Sequence, residues 1–294
     1  MRGRALSCGL TVLLLLGVGS ARAEGVEPGP DDALELPTHE EIEDAVPEGA
    51  TLTGRQIYER YLDNRQIHAA FQHQKLISTD PGGSTQTSRF WVRWKDYTDH
   101  DDKPVDGIYA KTLVRFTEPF DMRNTGFLMI AKEGGKSDQF IYRPSDRRVR
   151  RVNMSSGSLM GSDYSFDDIA FHNLEDAEYT RHADEELDGG PVYVVEAIAK
   201  PTAHSKYHRT LSYIEREHYV ALKVRYWDGD GVEVKLLTAP RSSIKSFDGI
   251  WVATYSTMHN LQEDTTSEMI VEDLEPNPEL TDRLFSLFRL AVGR

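Results

Sequence analysis

The sequence predicts a mainly β protein with a few helices, in which a curved antiparallel sheet of roughly ten or eleven strands lies under a helical lid. Three observations predict this open half-barrel. Apolar and polar residues alternate in short runs over most of the chain after residue 68. Turn signals rich in Asp and Gly separate several of these runs. Three other segments show helical spacing and can cover the apolar face that such a sheet would otherwise expose.

The predicted strands repeat with a period of two. Phe90, Val92 and Trp94 share one face of a strand, whereas Arg93 and Lys95 lie on the other. The alternation recurs over 108–116, at 127–129, at 140–142 and in shorter runs between residues 192 and 252. Turns are predicted at 188–190, 228–231 and 248–249, the last two as hairpins. Because a sheet this long twists and curls, its covered face becomes a hollow.

Helices are predicted over 54–66, 163–173 and 278–290. Thr53 suits the N-cap of the first helix, and the helical spacing of its apolar residues predicts a buried stripe formed by Ile57, Tyr58, Tyr61 and Leu62. Acidic residues early in the second segment suit a helix N-terminus. Asn277 followed by Pro278 suits the cap and first position of the third helix.

The first residues have the pattern of a targeting signal. Arg2 and Arg4 precede an apolar run that ends in small residues, so residues 1–23 are predicted to be a cleaved secretory signal peptide. Residues 24–50 are acidic and rich in Pro, which predicts a flexible leader, and residues 51–294 are predicted to be one half-barrel domain with a C-terminal helix. Cys8, the only cysteine, lies within the signal, so the mature chain has no disulfide.

Charge and motifs argue against several classes of function. The formal net charge of −14 at pH 7 opposes binding to nucleic acid. No stretch after the signal reaches the roughly 20 apolar residues that a membrane-spanning helix requires. Neither a G-x-S-x-G elbow nor a P-loop occurs in the sequence. We therefore expect a protein that is not an enzyme and uses no cofactor or metal.

Two segments resemble a known family. One is the mid-chain run Met160-Gly161-Ser162-Asp163-Tyr164-Ser165-Phe166-Asp167-Asp168, and the other is the hairpin from Tyr142-Arg143-Pro144 to Arg151. With the signal, they make most of the mature chain similar to the LolA-like outer-membrane lipoprotein-sorting proteins of the Gram-negative periplasm. The resemblance implies an unclosed barrel with a helical lid that holds acyl chains, located in the periplasm. It also implies a possible partnership with an inner-membrane exporter of the resistance-nodulation-division (RND) type.

Three groups of residues are candidates for binding. Aromatic and Met side chains adapt to ligands of variable shape. Those expected to line the hollow are Phe90, Trp94, Phe116, Phe127, Met129, Phe140 and Tyr142. The alternative is that they are ordinary core residues. The candidates for a lid or hinge are Gly161, Asp163, Tyr164 and Phe166. The alternative is that this segment is a fixed connection. The candidates for binding a phosphate head group or an acidic partner are Arg143, Arg148 and Arg150. The alternative is that they form the solvated face of a hairpin.

The function that the sequence favours is a periplasmic carrier. It would bind a lipid or a lipid-modified protein in an apolar cavity and move it between the inner and outer membranes. Two alternatives stay open. The chain could be a periplasmic adaptor of an RND-type exporter without a ligand of its own, or a lipid esterase or phospholipase that uses the same cavity.

Overall fold

The computed structural model describes residues 52–63, 67–79, 82–99, 103–133, 136–152, 162–165, 168, 174–203 and 205–293. The predicted signal peptide and leader, together with Gly161 and Phe166 of the predicted lid, lie outside these residues. None of the helices within the described ranges has the length and apolar character needed to cross a membrane.

The described residues form two α-helices and sixteen strands. The helices are α1 (Gly54–Asp63) and α2 (Leu287–Val292). The strands are β1 (Ala69–Thr79), β2 (Thr85–Asp96), β3 (Ile108–Glu118), β4 (Gly126–Lys132), β5 (Lys136–Arg143), β6 (Arg148–Val152), β7 (Ala177–Arg181), β8 (Glu185–Leu187), β9 (Gly190–Ala199), β10 (Arg209–Glu215), β11 (Ala221–Trp227), β12 (Glu233–Thr238), β13 (Ile244–Phe247), β14 (Ile250–Ala253), β15 (Tyr255–Asn260) and β16 (Thr265–Pro276).

Fourteen of these strands form one curved, unclosed antiparallel sheet, which confirms the predicted half-barrel. Its order is β6-β5-β4-β3-β2-β1-β16-β15-β12-β11-β10-β9-β7, with β8 pairing separately with β9. The predicted number of strands was too low, because the alternating runs named from the sequence resume only at residue 192 after the mid-chain segment and end at residue 252, so β7, β8, β15 and β16 were missed. The hairpin of β13 and β14 forms a second, two-stranded sheet. Its turn has left-handed φ values at both Asp248 (48°) and Gly249 (87°), as the predicted tight hairpin requires.

Helix α1 begins with the cap that the sequence predicts. The Thr53 hydroxyl accepts a hydrogen bond from the Gln56 backbone N–H at 3.2 Å, and the Gln56 side chain accepts one from the Thr53 N–H at 2.9 Å. This reciprocal pair is a capping box, which satisfies two N–H groups at the start of the helix. Ile57, Tyr61 and Leu62 are buried, so the predicted stripe faces the sheet.

The face of the sheet that α1 covers, called the inner face below, carries the largest hydrophobic cluster. It joins side chains of α1 to those of strands from both halves of the chain, including Trp94, Ile214 and Met258, all at most 1% exposed. On the opposite, outer face, the C-terminal segment covers the first half of the sheet: Phe285 and Leu290 pack against Leu113 and Leu128. Thus both of these apolar patches are covered by another element.

The predicted third helix is shorter than expected and begins elsewhere. Asn277 has a φ of 53° and ends β16: its side-chain oxygen accepts a hydrogen bond from the His68 N–H at 2.7 Å. A short 3-10 helix at Asp282–Phe285 follows, and α2 begins only after Ser286, whose side chain caps the Arg289 N–H at 3.2 Å. The interpretation of Asn277-Pro278 as a helix start is therefore wrong, because the Asn side chain links the start of β1 to the end of β16.

Candidate functional site

Five of the seven residues expected to line the hollow lie together on the inner face. Phe90 and Phe116 pair across β2 and β3 with ring centroids 5.2 Å apart. All five belong to the inner hydrophobic cluster and are buried: Phe90, Trp94, Phe116, Phe127 and Met129. Their large side chains fill the inner face over the first half of the sheet. Contact with a ligand therefore stays a prediction for these residues.

Phe140 and Tyr142 lie on the outer face, and their placement needs correction. The register pairs Phe127 with Ile141 and Leu128 with Phe140 across β4 and β5. Since paired residues point to the same face, Ile141 joins the inner cluster, whereas Phe140 and Tyr142 join the outer cluster below the C-terminal segment. The alternation along β5 was recognised correctly, but the inner face was assigned to Phe140 and Tyr142 instead of to Ile141 between them.

A cavity of about 120 Å³ lies on the inner face over the second half of the sheet, beneath α1. None of the seven predicted residues lines it. The lining comes from α1, β7, β9, β10, β11 and the connections between them: Tyr58, Tyr61, Asp168, Asp176, Ala177, Tyr179, Ala197, Ala199, Ala203, Ser205, Tyr207, Thr210, Ser212, Val224 and Tyr226. We call it the tyrosine cavity. The cavity is left open because these strands carry Ala, Ser and Thr at inner positions. The strands of the first half of the sheet carry large side chains at their inner positions.

The tyrosines come from several elements and meet in two groups. Tyr58 of α1 lies 5.2 Å from Tyr61 and 4.6 Å from Tyr179 of β7, measured between ring centroids. Tyr207 and Tyr226 form the second group, at 4.8 Å. From the sequence, Tyr58 and Tyr61 were assigned to the buried stripe of α1, and Tyr226 falls in one of the alternating runs between residues 192 and 252. Tyr207 lies in an irregular connection and had no periodic signal.

A buried polar network forms one wall of the tyrosine cavity. The Asp168 carboxylate accepts hydrogen bonds from the Tyr207 hydroxyl at 2.7 Å and the Ser165 hydroxyl at 2.9 Å. It also makes a salt bridge of 2.8 Å with the Lys235 ammonium group, and both side chains are at most 6% exposed. Burial, followed by the charge of Asp168, raises the pKa of Tyr207 and of Tyr226. Both phenols are therefore neutral at physiological pH.

The described part of the predicted lid is anchored to the sheet. Asp163 is buried, and its carboxylate accepts hydrogen bonds from the hydroxyls of Thr265 and Ser267 on β16. Tyr164 is fully buried in the inner cluster. Residues 162–165 are bends and an isolated bridge, so the predicted helix is wrong at this point. These contacts support the alternative of a fixed connection for Asp163 and Tyr164 over that of a mobile lid.

The three arginine candidates lie around the β5–β6 hairpin and are exposed. Arg143 pairs with Arg148 across the hairpin, and Arg150 makes an ion pair of 3.0 Å with Asp146. In the strand order of the sheet, β6 is at one end and β7, which lines the tyrosine cavity, is at the other. A head-group or partner role for these arginines stays a prediction, and it concerns a surface distinct from the cavity lining.

One group of side chains has the composition of a metal site. Ligand atoms of Glu215, Glu217 and His218 lie within 4.8 Å of one another. However, the two Glu215 carboxylate oxygens already accept the backbone N–H groups of Glu217 and His218, at 2.8 and 2.7 Å, and one also pairs with Arg241. These hydrogen bonds and charges outweigh burial and lower the pKa of Glu215. The contacts of Glu215 thus explain the proximity of these three residues as the structure of the turn between β10 and β11.

Comparisons with known proteins identify relatives of the whole domain. A family model described as an uncharacterized protein matches residues 109–291. A domain described as an outer membrane lipoprotein-sorting protein domain from Vibrio parahaemolyticus is 25% identical, with a TM-score of 0.70, over 81% of this chain and 98% of that chain. A DUF1329 family protein from Desulfovibrio piger is 22% identical, with a TM-score of 0.73, over 81% and 97% of the two chains.

A LolA superfamily protein from Nitrosomonas europaea shares the fold at 18% identity, with a TM-score of 0.61, over 80% of this chain and 98% of that chain. No curated protein matches the sequence. The relatives share the open sheet described above over nearly their full lengths, in agreement with the resemblance carried by the mid-chain run and the arginine hairpin. The chain therefore belongs to the family whose model matches residues 109–291, and its likeness to these structures supports a LolA-like family.

Proposed function

We propose that this protein is a periplasmic carrier that holds one end of a lipid or of a lipid-modified protein in the tyrosine cavity. In this proposal it moves its cargo between the inner and outer membranes, with an RND-type exporter of the inner membrane as a candidate partner. The observation that carries the proposal is the cavity itself, because an open sheet with unfilled space beneath a covering helix is a natural ligand site. The Vibrio relative, described as a lipoprotein-sorting domain, supports it.

The volume of the tyrosine cavity limits what it holds. Its value of about 120 Å³ is close to that of cavities of roughly 150 Å³ that bind benzene. A complete acyl chain needs more space, so we infer that the cavity takes one end of an amphiphile and that the rest follows the inner face. The half-buried Ala199 and Ala203 at the cavity provide small side chains where the ligand would enter.

The residues at the cavity favour binding over catalysis. The Ser165 hydroxyl donates a hydrogen bond to Asp168, which in turn pairs with Lys235, an arrangement that could be compared with a catalytic triad. However, a Ser nucleophile needs a base that removes its proton, and here the carboxylate is already neutralised by the ammonium group. The described lining contains no His or Cys. We therefore propose a carrier without hydrolytic activity.

Filling the cavity tests the carrier proposal. The Ala199→Trp variant places an indole in the cavity, and we expect lipid recovered by solvent extraction and mass spectrometry to fall about tenfold relative to the unmodified protein. Ala131→Trp is the matched control, because Ala131 is a half-buried alanine on β4 that does not line the cavity. Its lipid content should stay unchanged. An empty unmodified protein that also takes up no fluorescent acyl probe would contradict the proposal.

A further inference from the structure

The lining of the tyrosine cavity differs from that expected for an alkyl chain. Of its fifteen described residues, five are Tyr, four are Ala, two are Asp, and the others are Ser, Thr and Val. Leu, Ile, Met and Phe, which usually surround aliphatic chains, are missing from this described lining. The cavity therefore offers aromatic rings and oxygen atoms rather than flexible aliphatic contacts.

The arrangement of the rings resembles a cage. Tyr58 and Tyr61 approach from α1, Tyr179 from β7, Tyr226 from β11, and Tyr207 from the connection that precedes β10. Aromatic rings carry partial negative charge on their faces and attract cations, most strongly where water is excluded. Tyr61 and Tyr207 are at most 8% exposed, so part of this cage is screened from solvent.

The charges at the cavity favour the same kind of ligand. Asp176 contributes a carboxylate, Asp168 contributes a second one that is paired with Lys235, and the described lining contains no Lys, Arg or His. Nearby cations are already engaged outside the lining: the Lys235 ammonium group pairs with Asp168 and Arg55 with Glu175. Lys235 also lies 5.6 Å from the centroid of the Tyr207 ring. A cationic ligand would thus meet the rings of Tyr58, Tyr61 and Tyr179 and the Asp176 carboxylate, on the part of the lining away from Lys235.

We propose that the tyrosine cavity binds an organic cation, namely an alkylammonium group such as that of choline or ethanolamine. This inference rests on the proposed function, because it takes the cavity as the cargo site and specifies the part of the cargo held there. The volume of about 120 Å³ suits a compact group of this size. The ammonium group belongs either to a lipid head group or to a free small molecule.

Titration calorimetry of the mature protein with choline and with 3,3-dimethyl-1-butanol, its uncharged isostere, tests the recognition of charge. We expect choline to bind about tenfold or more tightly than the isostere, because only the cation gains from the rings and carboxylates. Equal affinity for the two compounds, or no binding of choline, would overturn the proposal.

Variants of Tyr179 separate ring chemistry from general packing. Tyr179→Leu should weaken choline binding by about five- to thirtyfold, whereas Tyr179→Phe retains the ring and should stay within about threefold of the unmodified protein. Tyr142→Leu removes a half-buried tyrosine on the outer face and is the control, with no expected change in affinity. Losses of equal size in the Leu and Phe variants of Tyr179 would contradict a cage.

Vesicles distinguish the two sources of the ammonium group and separate this inference from the carrier proposal. Uptake from phosphatidylcholine vesicles in preference to phosphatidylglycerol vesicles, together with choline binding, supports a lipid head group. Binding of choline without uptake of either lipid supports the cage with a free ligand and contradicts the lipid carrier. Equal uptake of both lipids without binding of choline supports the carrier and overturns the cage.

Discussion

At the scale of single residues, Arg115 is the clearest case of a side chain whose role depends on a distant segment. It alternates with inner-face residues along β3, yet it is only 3% exposed because the C-terminal segment covers it. Its guanidinium group donates hydrogen bonds to the carbonyl oxygens of Asn124 at 2.8 Å and Leu290 at 2.7 Å. A cation at the last carbonyls of α2 satisfies groups that the helix leaves unpaired. Burial lowers the pKa of Arg115.

The Arg115→Leu variant should therefore lower the free energy of unfolding by about 3 kcal/mol, because it leaves buried carbonyl groups without donors. Denaturant unfolding followed by circular dichroism measures the change. Arg93→Leu is the matched control, since Arg93 lies on the same face but contacts the rings of Phe71 and Trp91, and it should cost about 1 kcal/mol or less. Similar losses in both variants would show that Arg115 does not hold the C-terminal segment.

At the scale of secondary-structure elements, the position of α1 determines whether the tyrosine cavity has a roof. Gly54 begins the helix, and a Cβ atom at this position would lie 2.7 Å from the backbone of both Thr180 and Arg181 on β7. The first turn of α1 thus packs directly on a strand that also lines the cavity. An ion pair between Arg55 and Glu175 adds a second attachment nearby.

The Gly54→Leu variant should displace α1, lower the free energy of unfolding by about 2 kcal/mol and reduce the extracted lipid, because the added side chain collides with backbone atoms that cannot rotate away. Gly229→Leu is the control: no atom lies within 4 Å of a Cβ at that turn position. Thermal unfolding and lipid mass spectrometry give the two readouts. If lipid content were unchanged in a destabilised Gly54→Leu protein, α1 would not form the roof of the ligand site.

At the scale of the whole molecule, the first and the last of the described strands pair in the middle of the sheet. β1 pairs with β16 from Ala70 with Pro276 to Ser78 with Ser267, and the two halves of the sheet join only through this pair. β16 also supplies Thr265 and Ser267, which hold Asp163. Folding of either half into the complete sheet therefore depends on contacts between residues that are distant in sequence.

Two truncations test this dependence. A chain that ends at Asp264 lacks β16, and we expect it to lose cooperative thermal unfolding, because two new sheet edges and the inner cluster become exposed. A chain that ends at Asn277 keeps β16 and loses only the outer cover, so it should unfold cooperatively at a lower temperature. Circular dichroism and calorimetry measure both. Cooperative unfolding of the shorter chain near the unmodified temperature would contradict the central role of the β1–β16 pair.

Much of this architecture was determined by the sequence alone. Alternation identified the inner positions of Phe90, Val92 and Trp94, and the Thr53 cap located the start of α1, because strand faces and helix caps depend on neighbouring residues. The family was also recognisable from the mid-chain run and the hairpin. The same local information supported the open half-barrel, although β7 and β8 near one end of the sheet and β15 and β16 in its middle were missed.

Only the tertiary structure decided where the sheet is hollow. Large aromatics were expected to line the hollow, but they fill the first half of the inner face, and the space lies where alanines of β7 and β9 face tyrosines of α1. The faces of Phe140 and Tyr142 likewise followed from the register of β5 with β4. Empty volume and register depend on side chains brought together from distant parts of the chain, so no pattern along a single segment reports them.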